Sequence, residues 1–379
     1  MTGPLEKLRV LEIEGIGPCP FAGMLLADLG AEVIRVGRRG GSFLAAAMDV
    51  MNRNKKSIVL DLKSELGKEV LLDLVAKSDV LIEGFRPGVM ERLGVGPEVC
   101  LERNPRLVFG RMTGWGQEGP LAKAAGHDLN YIALTGALHA IGRKGERPTV
   151  PLNLVGDFGG GGLLLAFGVL AAIFETHNSG KGQVVDAAMV DGAAALMASV
   201  YAGMQNGFWS NRRGENLLDS GAPFYDVYET SDGKYISIGS LEPQFYQELI
   251  SRLGIADKAP KVGAHLSPQT WDSLRPSLEK IFKSRTRDQW CEEFEGSDVC
   301  FAPVLEASEA FKHPHNVARE SFVEIAGITQ AVAAPRFSRT KPDLPEVSHD
   351  LGADTEAVLR DFGIADAKIQ TALSYLAGK

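Results

Sequence analysis

The chain opens with Leu8-Arg9-Val10-Leu11-Glu12-Ile13, then Phe21-Ala22-Gly23-Met24-Leu25-Leu26-Ala27-Asp28-Leu29-Gly30, then Glu32-Val33-Ile34-Arg35-Val36. The outer runs are rich in branched aliphatic residues and read as strands. The middle run is apolar, has helical length and ends on a glycine suited to a left-handed cap. The pattern repeats: a strand over 57–62, a helix over 64–77 with Leu66, Val70, Leu71, Leu74 and Val75 at helical spacing, and strands over 79–82 and 107–112. Strands separated by helices of this length predict a mostly parallel sheet covered on both faces, a Rossmann-like α/β layer. No Gly-x-Gly-x-x-Gly follows the first strand, so a dinucleotide site is not indicated.

Further along, apolar helices are expected at about 160–176 and 189–204, separated by Gly180-Lys181-Gly182-Gln183 and a short strand at Val184-Val185-Asp186. A polar, glycine-bearing stretch over 206–224 reads as a linker. A hairpin over 225–229 and 235–239 follows, turned by Ser231-Asp232-Gly233. Helices over 243–253, 269–282 and 287–294 and a returning strand over 300–305 complete a smaller α+β domain. Loops through Pro335, Pro342 and Pro345 lead to amphipathic helices over 354–362 and 366–377. The expected organisation is a large Rossmann-like domain over 1–205, the linker over 206–224, a small α+β domain over 225–320, and a return segment over 321–379 that packs on the large domain.

A chain of 379 residues exceeds what one hydrophobic core usually supports. The net charge of -8 and the lack of any long Lys/Arg-rich stretch argue against a nucleic-acid partner. Cys19, Cys100, Cys291 and Cys300 have no Cys-x-x-Cys spacing, which argues against disulfide frameworks and structural zinc and fits a reducing compartment. His313 and His315 flank Pro314 in what reads as a surface turn, so no metal is assigned. Charged Glu6, Lys7 and Arg9 precede any apolar run, unlike a secretory signal. The stretch over 163–174 is too short to cross a bilayer and reads as a buried helix. The default expectation is therefore a cytoplasmic protein without a membrane partner.

Three polar islands carry chemistry: Gly126-His127-Asp128, Gly156-Asp157-Phe158-Gly159 and Leu241-Glu242-Pro243. A neutral imidazole and a carboxylate on opposite sides of a substrate can exchange the roles of base and acid, which suits moving a proton on and off carbon. Asp157 precedes Gly159 to Gly162 and an apolar helix, so it is expected at that helix's amino end, where free backbone N–H groups favour an aspartate or an enolate oxygen. The glycines would let a ligand approach the backbone. Equally, Asp157 reads as an N-cap with glycines for close helix packing, His127 as a satisfied helix-start histidine, and Glu242 as a first-turn acid. The other six histidines lack comparable settings.

The segments Gly114-Trp115-Gly116-Gln117, 125–131, 151–161, 180–186, 218–224 and 242–246 resemble the class III CoA-transferase family, and within it the racemase branch. The likeness runs over nearly the whole chain. It implies a large Rossmann-like domain, a small domain and an interlocked homodimer in which each active site uses both chains. His127 and Asp157 then match an acid/base pair, and Glu242, from the partner subunit, matches the carboxylate that orients the histidine. The implied substrate is a 2-methylacyl-CoA thioester inverted at C2 through an enolate, with no separate cofactor, coenzyme A being part of the substrate. Implied coenzyme A contacts are Arg38, Leu60, Asp61, Leu62, Lys63, Gly84, Phe85, Arg86, Arg92, Gly126, Asp128, Leu129, Asn130 and Tyr131. Val36-Gly37-Arg38-Arg39-Gly40 lacks the acidic residue and proline often found in relatives, leaving Arg38 or Arg39 open as the adenine-end contact. Two alternatives stand beside this reading. In a CoA-transferase Asp157 would attack the thioester as a nucleophile; a binding-only relative would hold acyl-CoA without turnover.

Overall fold

The computed structural model describes residues 2–40 and 50–378. The chain divides into two compact units, the first of Met1–Thr135, Leu152–Leu196 and Glu320–Lys379, the second of Gly136–Pro151 and Met197–Arg319. Among the described residues the main sheet of the first unit has six strands: β1 Arg9–Ile13, β2 Glu32–Gly37, β3 Lys55–Val59, β4 Val80–Glu83, β5 Val108–Thr113 and β6 Gln183–Ala188. They lie in the order β3-β2-β1-β4-β5-β6, every neighbouring pair parallel. The order reverses between β1 and β4, so ligands belong in the crevice beyond the carboxyl ends of the strands there.

Alternate residues of each strand face opposite layers. Leu11, Ile13, Ile34, Ile58, Leu81 and Phe109 pack with the helix Glu65–Val75 and with Val358, Leu359, Ile369 and Ala372 of the terminal helices Thr355–Asp361 and Asp366–Ala377. Val10, Val33, Val80, Ile82 and Val108 pack with Leu26 of the helix Pro18–Asp28 and with Leu165 and Val169 of the helix Leu163–Ser179. The terminal segment also covers the β3 edge: Asp354 accepts the Ser57 N–H at 2.7 Å and Thr355 Oγ1 accepts that of Val59 at 3.2 Å. Otherwise these donors would form an open edge.

Three expectations need correcting. The third strand begins at Lys55 and ends at Val59, because the charged Lys55 is buried in the sheet layer and donates to Glu12 Oε2 at 2.7 Å and to the Pro20 carbonyl at 2.9 Å. The helix expected over 189–204 is two, Met189–Leu196 and Ala198–Gln205, divided where the chain passes from the first unit to the second. The stretch over 163–174 belongs to a continuous helical run, Leu154–Ser179, long and apolar enough to cross a membrane by length and composition alone. It is not a buried helix: Phe167 is 68 % and Phe174 72 % exposed while Leu165 and Val169 are fully covered. A helix apolar all round carries no pattern that tells its covered face from its open one.

The second unit has a three-stranded antiparallel sheet of β7 Tyr225–Glu229, β8 Tyr235–Gly239 and β9 Phe301–Val304, in the order β7-β8-β9. Phe224, Tyr228, Ile236 and Ile238 pack there against Tyr246, Trp271, Phe282 and Trp290 of the helices Pro243–Arg252, Trp271–Phe282 and Arg287–Phe294.

Glu12 and Lys55 are both essentially inaccessible. Burial pushes the Glu12 carboxyl up and the Lys55 ammonium down, and each partner opposes the other's shift. Lys55→Met leaves a buried carboxylate alone and is expected to lower unfolding free energy by about 3–5 kcal/mol, with Glu12→Met/Lys55→Met recovering most of it. Urea unfolding of the two variants checks this; equal losses would contradict it.

Candidate active site

Asp157 lies in the first turn of its helix, at the amino end as expected, but that helix begins earlier than expected. Leu154–Gly162 is π-helical, with Asn153 at its N-cap, and runs directly into Leu163–Ser179. The backbone ladder starts with the Phe158 N–H on the Asn153 carbonyl, while the Asp157 N–H donates to Asp128 Oδ2 at 2.6 Å. This wider winding recurs at functional sites because it re-aims side chains. The glycines allow close packing. A Cβ on Gly160 would stand 2.7 Å from the Ala193 nitrogen, and one on Gly162 2.5 Å from the Pro18 carbonyl oxygen. The helix is thus clamped between Pro18–Asp28 and Met189–Leu196.

The half-buried Asp157 carboxylate accepts Asn153 Nδ2 at 3.2 Å. Gly17, with φ of 68°, is the turn residue beneath it, and a Cβ there would be 3.3 Å from Asp157 Oδ2. Burial first, then the like charge of Asp128, raises the Asp157 carboxyl above its ordinary value, while the Asn153 hydrogen bond and His127 pull it down. Asn153 was not singled out from sequence, although an amide four residues before an acid is a readable helical pairing. Gly17 carried no such signal.

His127 is the exposed N-cap of the helix Asp128–Leu134, its N–H held by Asn130 Oδ1 at 3.0 Å. Beside it Asp128 is only 5 % exposed, with Oδ2 on the Asp157 N–H and Oδ1 buried without a hydrogen-bond partner. A single carboxylate therefore joins the two segments bearing His127 and Asp157. Gly156 is required alongside: a Cβ would fall 2.5 Å from Asp128 Oδ2. Tyr131 closes the back of the turn, its hydroxyl donating to the Gly126 carbonyl and its ring edge-on to Trp115 at 4.7 Å.

The residues expected to meet coenzyme A follow the carboxyl ends of parallel strands: Arg38 after β2, Leu60 to Lys63 after β3, Gly84 to Arg86 after β4. Arg38, Lys63, Arg86 and Arg92 are exposed. Leu60 is 2 % exposed and part of the core, so only its backbone is available to a ligand. Asp61 Oδ1 accepts the Lys63 N–H at 3.0 Å, shaping the loop, and Leu62 packs partly on the core. The Arg39 guanidinium lies against Gly378, whereas the backbone N–H of Arg38 is 3.5 Å from Glu14 Oε2. The Gly84 loop is held by Glu83, which accepts the Phe85 N–H at 2.6 Å and Arg111 at 3.0 Å; burial pushes its carboxyl up to about 7. Leu129 and Asn130 face solvent.

Glu242 belongs to the second unit, as the N-cap of Pro243–Arg252, where its exposed side chain makes no cap hydrogen bond. A cavity of about 840 Å³ in that unit is lined by Ile141, Met197, Trp209, Leu218 and Tyr225 and reaches Gly239 and Cys300. Among the described residues no group of three His, Cys, Asp or Glu side chains is arranged to hold a metal ion; His313 instead pairs with Glu295 at 3.3 Å.

Residues 5–355 match the model of CoA-transferase family III, and the chain belongs to that family. It is 43 % identical to the alpha-methylacyl-CoA racemase of Mus musculus over 96 % of this chain and 95 % of that one. The Homo sapiens alpha-methylacyl-CoA racemase is likewise 43 % identical, over 96 % and 95 %. A crystal structure of a CAIB/BAIF family protein from Brucella suis superposes with a TM-score of 0.83 at 26 % identity, covering 96 % of this chain and all of that one.

The raised Asp157 carboxyl has a stability consequence with a definite sign. Its charged form is disfavoured in the fold, so the penalty is absent below the ordinary value of 3.8 and complete above the folded one. Asp157→Asn is expected to raise Tm at pH 7, the gain fading as the pH falls towards 4. A lower Tm at pH 7 in calorimetry would contradict that electrostatic picture.

Proposed function

We propose that this protein is an isomerase, a racemase that inverts C2 of 2-methylacyl-CoA thioesters. The observation that carries the reading is the hydrogen bond from the Asp157 N–H to Asp128, which ties the segment of Asp157 to the residue next to His127; an imidazole and a carboxylate brought together in this way suit moving a proton on and off carbon. The likeness to alpha-methylacyl-CoA racemases supports the choice of substrate.

In this mechanism coenzyme A lies along the loops after β2, β3 and β4, with Arg38, Lys63, Arg86 and Arg92 offering charge to its phosphates. Binding the remote carrier fixes the thioester, a positioning effect that can contribute roughly 7–11 kcal/mol. His127 on one face or Asp157 on the other removes the C2 proton, leaving an enolate. The opposite group then returns a proton to carbon, and the configuration inverts. The group that took the proton passes it to solvent before the next turnover. Two bases supply both half-reactions, so no separate cofactor enters.

Glu242 of the partner subunit is proposed to bond to His127 and orient it, which makes a homodimer obligatory. The open apolar face of Leu154–Ser179, with Phe167 and Phe174 exposed, supports a large covered surface of this kind.

The test is incubation of one enantiomer of a 2-methylacyl-CoA in deuterated water, with and without an acceptor carboxylic acid. Deuterium at C2 with inversion, independent of acceptor, is expected. Movement of coenzyme A to the acid without label at C2 would make Asp157 a nucleophile and the protein a transferase. Gly156→Ala, which displaces Asp128, is expected to cut turnover about 100-fold, as misplacement by an ångström does; unchanged turnover would break the link from Asp128 to the reaction.

A further inference from the structure

His265 is a fully buried histidine that the proton transfer does not use. It sits in the short turn Ala264–Leu266 of the second unit. Its Nδ1 accepts the Gly263 N–H at 3.0 Å, and its Nε2 lies 3.2 Å from the Leu241 carbonyl oxygen. A backbone N–H on Nδ1 leaves the proton to Nε2, so one neutral tautomer satisfies both bonds, with Nε2–H donating to Leu241. The ring is fixed on both sides, stacked on Tyr246 at 4.0 Å and edge-on to Phe224 at 5.0 Å. Its own carbonyl accepts Trp271 Nε1 at 2.8 Å. Few side chains have less freedom.

The acceptor is what gives this arrangement meaning. Leu241 directly precedes Glu242, and the peptide joining them is planar, so holding the Leu241 carbonyl sets the direction of the Glu242 nitrogen and Cα. On the far side the Glu242 carbonyl accepts the Tyr246 N–H at 3.0 Å, and the Tyr246 hydroxyl is tied to the Pro260 carbonyl at 3.0 Å. The Leu241 N–H is bound to the Gly239 carbonyl at 2.9 Å. Backbone on either side of Glu242 is thereby pinned, while its carboxylate makes no cap bond and remains available.

We propose that His265 is a positioning residue for Glu242, fixing the Leu241–Glu242 peptide so that the carboxylate is presented in one direction. The inference rests on the reading above in which Glu242 orients the catalytic histidine. His265 touches neither substrate nor reacting atoms and acts only through that peptide.

Two polar replacements of different reach separate positioning from mere filling of the core. His265→Asn can accept from Gly263 but falls short of Leu241; His265→Gln places an N–H where Nε2 stands. Expected results, measured as C2 deuterium incorporation by the intact protein, are a fall in kcat of about tenfold or more for His265→Asn with KM for the thioester little changed, and substantial recovery in His265→Gln. In a Glu242→Ala background, His265→Asn should cost less than about twofold further, because its effect passes through Glu242. Equal losses in Asn and Gln, or losses that multiply with Glu242→Ala, would overturn the proposal, as would unchanged kcat in His265→Asn. Should Glu242→Ala itself keep wild-type turnover while the wild type labels C2, Glu242 has no orienting role and the inference falls with that part of the reading alone.

Discussion

The hydrogen bond from the Asp157 N–H to the Asp128 carboxylate is the constraint on which the candidate site depends. His127 and Asp157 lie on separate helices thirty residues apart in sequence, and neither helix fixes the other's end. Asp128 does so from next to His127, and its charge also adds to the burial that raises the Asp157 carboxyl. One side chain thus sets a position and contributes, after burial, to the raised carboxyl. Gly156 and Gly17 are the backbone conditions for it, since a Cβ at the first would collide with Asp128 and the second forms the turn under Asp157.

Holding a carboxyl in this state opposes stability, and the surrounding fold offsets it. The π-helical segment is clamped by two neighbouring helices through contacts that only glycine permits. The Lys55 bond to the Pro20 carbonyl anchors the helix that begins beside Gly17, carrying rigidity from the sheet to the turn under Asp157. Charges buried in that layer are costly unless paired, and here the pairs sit where loops at the strand ends must not drift. Glu83 with Arg111 does the same for the Gly84 loop.

Much of the first unit was legible because parallel strands buried on both faces are written as mostly apolar runs, as in Val80-Leu81-Ile82 of β4, and their helices repeat every three to four residues. Local patterns failed where tertiary contacts decide. The third strand was expected to start only at 57, since nothing local marks Lys55 as buried: its partner Glu12 lies forty-three positions away. The run over 163–174 looked buried because composition cannot distinguish a core face from one left open. The helix that carries Asp157 was expected to start only at about 160 because glycines usually break helices, whereas here they lie within a wider winding that begins at Leu154. His265 looked unremarkable, since its ligand, the Leu241 carbonyl, leaves no trace in side-chain spacing. His127, Asp157 and Glu242 were readable as residue types; how backbone and buried charge hold them was not.

The central claim is that two different bases serve the two faces of one carbon. It is tested most directly by following C2 proton exchange in deuterated water separately for each enantiomer, using His127→Gln and Asp157→Asn. The account predicts mirror-image behaviour: each variant loses inversion entirely but keeps exchange for the one enantiomer whose proton faces the surviving base. Exchange lost or kept for the same enantiomer in both variants would contradict it.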